Sequence, residues 1–168
     1  MTLILYAQPY DTTATGFYFR SLEEYEASAR MLTNSNGDPV EEFEIQFIDG
    51  EEIDCALAEA IGMSQANFRD FLEIAETWAD GTKELTVVAV GYCGYEFDPD
   101  RCPSEYKVDI FAAETMRELA EQFVEEGVYG DIPEQLQGYI DYEAIARDLA
   151  MSCFEVTVAG RRMVCESY

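Results

Sequence analysis

The sequence predicts a modular α+β fold with small antiparallel-sheet modules at both ends and a helical middle. Three observations carry that expectation. Short aliphatic and aromatic runs bounded by turn residues recur near both ends, which is how strands read. Between them, apolar residues fall at helical spacing. Finally, 48% of the 168 residues are hydrophobic and 13% aromatic, enough to bury a core. An acidic chain that stays disordered lacks those side chains.

The N-terminal module is expected over residues 1–50. Residues 3–7 and 16–20 read as short strands. Ser21 offers an N-cap with Glu24 three residues on, a capping-box pattern. Leu22, Tyr25, Ala29 and Leu32 then form one apolar helix face. The run from Asn34 to Pro39 is dense turn chemistry. Over 41–48, Glu42, Glu44 and Gln46 alternate with Phe43, Ile45 and Phe47, the pattern of a half-buried strand with an acidic outer face. The order is ββαβ.

A helical middle module is expected over 51–83. A short helix over 53–61 stops at Gly62. Ser64 caps a longer one whose inner face carries Phe68, Phe71, Leu72, Ala75 and Ala79, and Gly81 closes it. The C-terminal α+β module spans 84–168. Residues 85–90 and 106–111 read as strands, so that β-loop-β-α occurs twice, at 3–33 and 85–126. A helix then carries Met116, Leu119, Ala120, Phe123 and Val124 and stops at Gly127. Pro133 sits in the first turn of a short helix, and Asp141 caps another reaching Ala150. Residues 154–158 and 163–166 form a closing hairpin turned at Ala159-Gly160.

Charge dominates what this fold would carry. Thirty-five Asp and Glu stand against ten Lys and Arg with no His, a formal charge of −25 at pH 7. A small domain stays soluble with a net charge of roughly 2–8 in magnitude. Excess like charge weakens the compact state by self-repulsion. The carboxylates recur on almost every element: Glu23, Glu24 and Glu26; Glu41, Glu42 and Glu44; Glu51, Glu52 and Asp54; Asp70, Glu73 and Glu76. The sharpest set is Glu114, Glu118, Glu121 and Glu125, at steps of four, three and four. Like charges so spaced on a helix repel by a few tenths of a kcal/mol per pair. Any one set reads as a solvated face. Together they read as a surface for a large positive partner. Duplex DNA presents one charge per about 1.7 Å of axis, so this net charge matches roughly 43 Å of duplex.

The same composition excludes several classes. Bare nucleic acid and anionic membranes are repelled, so the macromolecular partner is expected to be a basic protein. No metal site is expected: the calcium-loop candidate beginning at Asp98 and Asp100 puts Pro103 where glycine is required. The five cysteines, Cys55, Cys93, Cys102, Cys153 and Cys165, are scattered without a CxxC pair. They read as reduced thiols of a cytoplasmic protein. No secretory signal or membrane span is expected. Without His there is no Ser-His or Cys-His pair, and no phosphate-binding loop occurs. No catalytic residue and no cofactor are expected. Tyr92, Tyr95, Phe97 and Tyr106 read either as a recognition patch or as loop packing. Arg161 and Arg162 read as tempering local charge or joining an internal ion pair.

Residues 127–149, GVYGDIPEQLQGYIDYEAIARDL, resemble the C-terminal region of the ArdA antirestriction family. The residues that carry the resemblance are Ile132-Pro133, Leu136, Tyr139-Ile140-Asp141-Tyr142-Glu143-Ala144 and Arg147-Asp148-Leu149. A looser likeness lies in residues 3–7 and in the acidic strand from Glu41. Residues 85–110 depart from the family's pattern in being more strand-like and less acidic. The resemblance implies an elongated, modular mimic of bent B-form DNA that occupies the DNA-binding groove of type I restriction-modification enzymes and forms a homodimer through its C-terminal module. On the residues alone, the least acidic stretches, 85–111 and 151–165, are the candidate pairing surfaces. Two alternatives stand beside this: an acidic mimic of another target, a CRISPR effector or nucleoid protein, and a non-inhibitory scaffold whose charge reflects a high-salt habitat.

Overall fold

The computed structural model describes residues 3–168, in which two separate three-stranded sheets lie one toward each end of the chain with helices between them. The N-terminal sheet has the order β2-β1-β3, from Ile4–Pro9 (β1), Phe17–Phe19 (β2) and Phe43–Asp49 (β3), all antiparallel. Helix α1 (Leu22–Met31) lies between β2 and β3 in sequence, and Ser21 Oγ accepts from the Glu24 amide at 3.3 Å. The expected ββαβ order is present. Its alternation is also visible: Leu5 and Ala7 on β1, with Phe43 and Ile45 on β3, are buried, while Glu44 is exposed.

Three helices fill the middle: α2 (Glu52–Ala60), α3 (Phe68–Thr77) and α4 (Asp80–Gly91). Two sequence expectations fail here. Ser64 is not the N-cap of α3; it forms a turn with Asn67, whose side-chain oxygen accepts from the Ser64 amide at 2.7 Å. Helix α3 also stops at Thr77, before Gly81, because Trp78 and Ala79 adopt extended backbone. Gly81 lies in the first turn of α4.

The larger correction is at 85–90, which is the second half of α4 and not a strand. Thr86, Val87, Val88 and Ala89 are all buried. A helix enclosed on every side shows no polar face, and a short apolar run then cannot be told from a buried strand. The packing supplies more than the β-branched side chains cost in helix propensity. With that strand gone, the second β-loop-β-α repeat does not exist.

The C-terminal sheet has the order β4-β6-β5, from Val108–Phe111 (β4), Cys153–Val158 (β5) and Arg161–Ser167 (β6). The hairpin turns at Ala159-Gly160, as the sequence predicts. Both residues have positive φ, 48° and 76°, the requirement of a two-residue turn that matches strand twist. Helices α5 (Met116–Glu125), α6 (Glu134–Gln137) and α7 (Tyr142–Leu149) complete the chain. Thr115 caps α5, and Asp141 caps α7 by accepting from the Ala144 amide at 3.0 Å.

The central strand β6 is buried on both faces at Met163, Val164 and Cys165. On one face Met163 and Cys165 join the main core, which runs on through Val87 and Val88 to Phe71, Phe68 and the N-terminal sheet. On the other, Val164 packs in a second core with Ala113, Leu119 and Cys153, covered by Phe123 and Leu149. The hairpin tip is tied to the middle helices by Arg161 to Glu84 and by Tyr92 Oη donating to the Thr157 carbonyl at 3.0 Å. One apolar core therefore joins both sheets through the helices.

Candidate partner-binding surface

Each acidic set takes its position from the element beneath it. Glu23, Glu24 and Glu26 are exposed on α1. The first two lie in its first turn, where the positive end of the helix dipole favours carboxylates. The Glu23 backbone amide, then the Ser21 hydroxyl, hold the Glu23 carboxyl below its ordinary range. Glu41 and Glu42 lead into β3 and Glu44 stands on its outer side; all three are exposed. Because β3 is a sheet edge, these charges also discourage another strand from pairing there. Glu51 and Glu52 are exposed at the start of α2.

On α3, Glu73 and Glu76 are exposed and Asp70 is half-buried. The fold brings this set to the α1 set. Glu23, Asp70, Glu73 and Glu76 line one groove of about 590 Å³, together with Arg20 and Arg69. Arg20 pairs with Glu24 at 3.9 Å and Arg69 with Glu26 at 3.7 Å. The 114–125 set lies apart, over the second core.

Two members depart from the surface expectation. Asp54 is 7% exposed and forms a buried ion pair with Lys83 at 2.6 Å; it is part of the interior. Glu114 precedes α5 and is not on the helix. The expected four-residue stripe is three residues long, Glu118, Glu121 and Glu125. Glu118 turns back so that its carboxylate accepts from the Glu114 amide at 2.8 Å, while its own amide donates to Thr115 Oγ1 at 3.2 Å. That reciprocal arrangement resembles a capping box. Glu121 accepts from Arg117 at 3.0 Å, and Arg117 also reaches Glu143. Glu121 first, then Glu143, raise the Arg117 guanidinium above its ordinary value.

The cations are mostly engaged. Arg20, Arg69, Lys83, Arg117, Arg161 and Arg162 all pair with carboxylates. Arg161 and Arg162 join internal ion pairs with Glu84 and Glu155, one of the two readings that the sequence offers. Of the aromatic set, Tyr106 is buried, Tyr95 and Phe97 pack on the core, and Tyr92 bonds the hairpin. That set is loop packing. The loop between α4 and β4 holds exposed carboxylates that periodicity could not find: Glu96, Asp98, Asp100 and Glu105. They lie outside any α-helix or strand, with Glu105 closing a single 3-10 turn (Pro103–Glu105), so spacing carries no signal. Their only sequence signal is local density.

The segment 127–141 is the most open part of the chain. Gly127 ends α5 with φ 73°. Val128, Tyr129, Leu136 and Tyr139 are more than half exposed, as is Met151 beyond α7. Within the segment that resembles the known family, Pro133 leads into α6, Asp141 caps α7, Tyr142 and Leu149 are half-buried, and Arg147 and Asp148 are exposed. By contrast, Val87, Val88 and Ala89, within one expected pairing surface, are fully interior.

Residues 6–161 match the family model of the antirestriction protein ArdA. That is nearly the whole chain, from the first strand to the closing hairpin. The chain belongs to the ArdA antirestriction family. No curated protein matches its sequence. The ArdA match runs from within β1 through the middle helices to the first residue of β6, well beyond the segment 127–149 that carries the sequence resemblance. It also covers residues 85–110. Among the described residues, no group of three or more Cys, Asp or Glu is placed to hold a metal ion. No described helix is long and apolar enough to cross a membrane.

Proposed function

We propose that this ArdA-family chain inhibits type I restriction-modification enzymes by occupying their DNA-binding groove in place of DNA. The observation that carries the reading is the placement of its charge. Thirteen of the sixteen carboxylates singled out from the sequence are exposed, on or just before α1, β3, α2, α3 and α5, while most of the few cations are spent in ion pairs. Carboxylates fixed on a folded core offer Lys and Arg what phosphates offer them, with little reorganisation on binding. The partner surface is built from Glu23, Glu24, Glu26, Glu41, Glu42, Glu44, Glu51, Glu52, Asp70, Glu73, Glu76, Glu118, Glu121 and Glu125, with Glu114 beside them. Asp54 has no part in it.

The chain acts by binding rather than by catalysis, in the cytoplasm, and as a homodimer. Two copies of charge −25 repel, so the contact between them needs apolar surface. Val128, Tyr129, Leu136, Tyr139 and Met151 provide it, with the family segment at its centre.

The test is cleavage of unmodified DNA by a type I enzyme. The chain should inhibit it, excess DNA should relieve inhibition, and added salt should weaken it, because the Debye length falls from about 10 Å at 0.1 M to 3 Å at 1 M. Inhibition that excess DNA leaves unchanged would contradict the reading.

A further inference from the structure

The outer face of the N-terminal sheet is partly open, with Tyr18 and Glu44 exposed and Tyr6, Gln8 and Gln46 half-buried. Leu5 and Ala7 of β1 point into the core, so Tyr6 between them points out. Tyr18 of β2 lies directly opposite Tyr6 in the ladder, and the rings are 4.7 Å apart. Neither tyrosine is part of the core, and Tyr18 is 63% exposed. A built feature holds the pair in place. A Cβ on Gly16 would stand 2.5 Å from the Tyr6 hydroxyl and 2.4 Å from the Ala7 carbonyl. Only glycine lets the Tyr6 side chain and the backbone meet there. On the other flank, Tyr6 faces Gln46 and Gln8 faces Glu44 on β3. Gln46 donates to the Glu44 carboxylate at 3.2 Å. The exposed Tyr18 ring and the half-buried Tyr6 ring, tilted 49° to each other, thus share a sheet face with the exposed Glu44 of the edge strand.

We propose that this sheet face is a guanidinium-binding platform, taking an arginine of a basic protein partner on the Tyr6–Tyr18 pair with Glu44 as its counter-charge. It rests on the reading that the partner is basic. Charge complementarity selects the occupant: at −25 the chain repels phosphate-rich ligands, and ring faces beside carboxylates attract cations. Arginine is preferred over lysine because its planar group stacks on aromatic faces and can engage a carboxylate through two donors at once. The platform would add a choice of side chain to a surface otherwise selective only for positive charge.

The experiment is an NMR titration of the full chain, following tyrosine ring signals, with blocked tetra-arginine and tetra-lysine peptides at equal ionic strength. Equal peptide charge cancels the common electrostatic attraction. Tyr6 and Tyr18 signals should move and saturate with tetra-arginine at roughly two- to fivefold lower concentration than with tetra-lysine. Tyr18→Phe should keep that preference. Tyr18→Leu, at an exposed site, should remove it while both peptides still bind through the carboxylates. Unmoved rings, equal affinities, or a preference surviving Tyr18→Leu would overturn the proposal. Displacement of DNA from a restriction enzyme is a separate measurement, so that reading and this one can fail independently.

Discussion

The Lys83 ammonium donates to Asp54 Oδ1 at 2.6 Å and to the Ala75 carbonyl at 2.9 Å. One side chain of α4 thereby holds α2 and α3 together inside the core that links the two sheets. The same contact withdraws Asp54 from the acidic surface. Lys83→Met would leave the Asp54 carboxylate buried without a partner, a defect that costs about 3–5 kcal/mol. The double variant Asp54→Leu/Lys83→Met should recover most of that loss, since removing both charges together is often neutral. Chemical denaturation of the two variants checks this. The double variant should also inhibit as the parent does, because the Asp54 carboxylate is buried and spent on Lys83. Equal destabilisation by single and double changes would argue against the pair as the cause.

The buried thiols give the fold a sensitivity to alkali. Burial first, then neighbouring Cys93 and Cys153, push Cys165 from its ordinary 9.0 up to about 11. Its thiol stays neutral in the folded chain while the unfolded chain ionises. The stability this holds is complete below pH 9 and is lost as pH rises from 9 to about 11, with a ceiling of about 3 kcal/mol. Cys165→Val should flatten the fall in melting temperature across that window. An unchanged slope would contradict the assignment. With a thiol reagent at neutral pH, exposed Cys102 should react first and buried Cys153 and Cys165 last.

Much of this architecture was legible because local chemistry and burial agree. At α1 the Ser21 cap, the Leu22 and Tyr25 spacing and the acidic first turn all point to one helix. On β3 each outward Glu or Gln alternates with an inward apolar residue. The hairpin turn at Ala159-Gly160 and the Asp141 cap are equally local. What escaped was decided by distant packing. Val87 and Val88 carry strand propensity, but neighbours on α2 and β5 enclose them in a helix. Asp54 sits in an acidic run, and only Lys83, 29 residues away, shows that it is interior. Glu114 shares the spacing of the stripe, yet Thr115 caps the helix just after it. For the partner surface, the sequence gives the abundance of carboxylates and the fold decides which of them face outward.

Charge should act collectively. A single Glu125→Gln change removes one exposed contact among many and should leave inhibition nearly unaltered. Neutralising Glu114, Glu118, Glu121 and Glu125 together should weaken inhibition markedly at moderate salt. Glutamine at 118 still accepts from the Glu114 amide, so the α5 cap survives and the thermal melt should hold. If one Glu→Gln change abolishes inhibition without altering the melt, an active site is present and the account is wrong.

Pairing of two copies is testable at the exposed apolar segment. Leu136→Glu with Tyr139→Glu adds charge where the proposed contact lies, while neither side chain supports a core. Sedimentation should show a dimer for the parent and a monomer for the variant, at equal thermal stability. A parent that is monomeric at micromolar concentration in moderate salt would refute the dimer.

The central claim is that this chain and DNA compete for one groove. The most direct measurement is the mass of the complex formed when a type I restriction-modification enzyme is mixed with both its cognate duplex and a saturating amount of the chain. The account predicts enzyme bound to one or the other and never to both, with the chain displacing labelled duplex as its concentration rises. A stable ternary complex of enzyme, duplex and chain would contradict it.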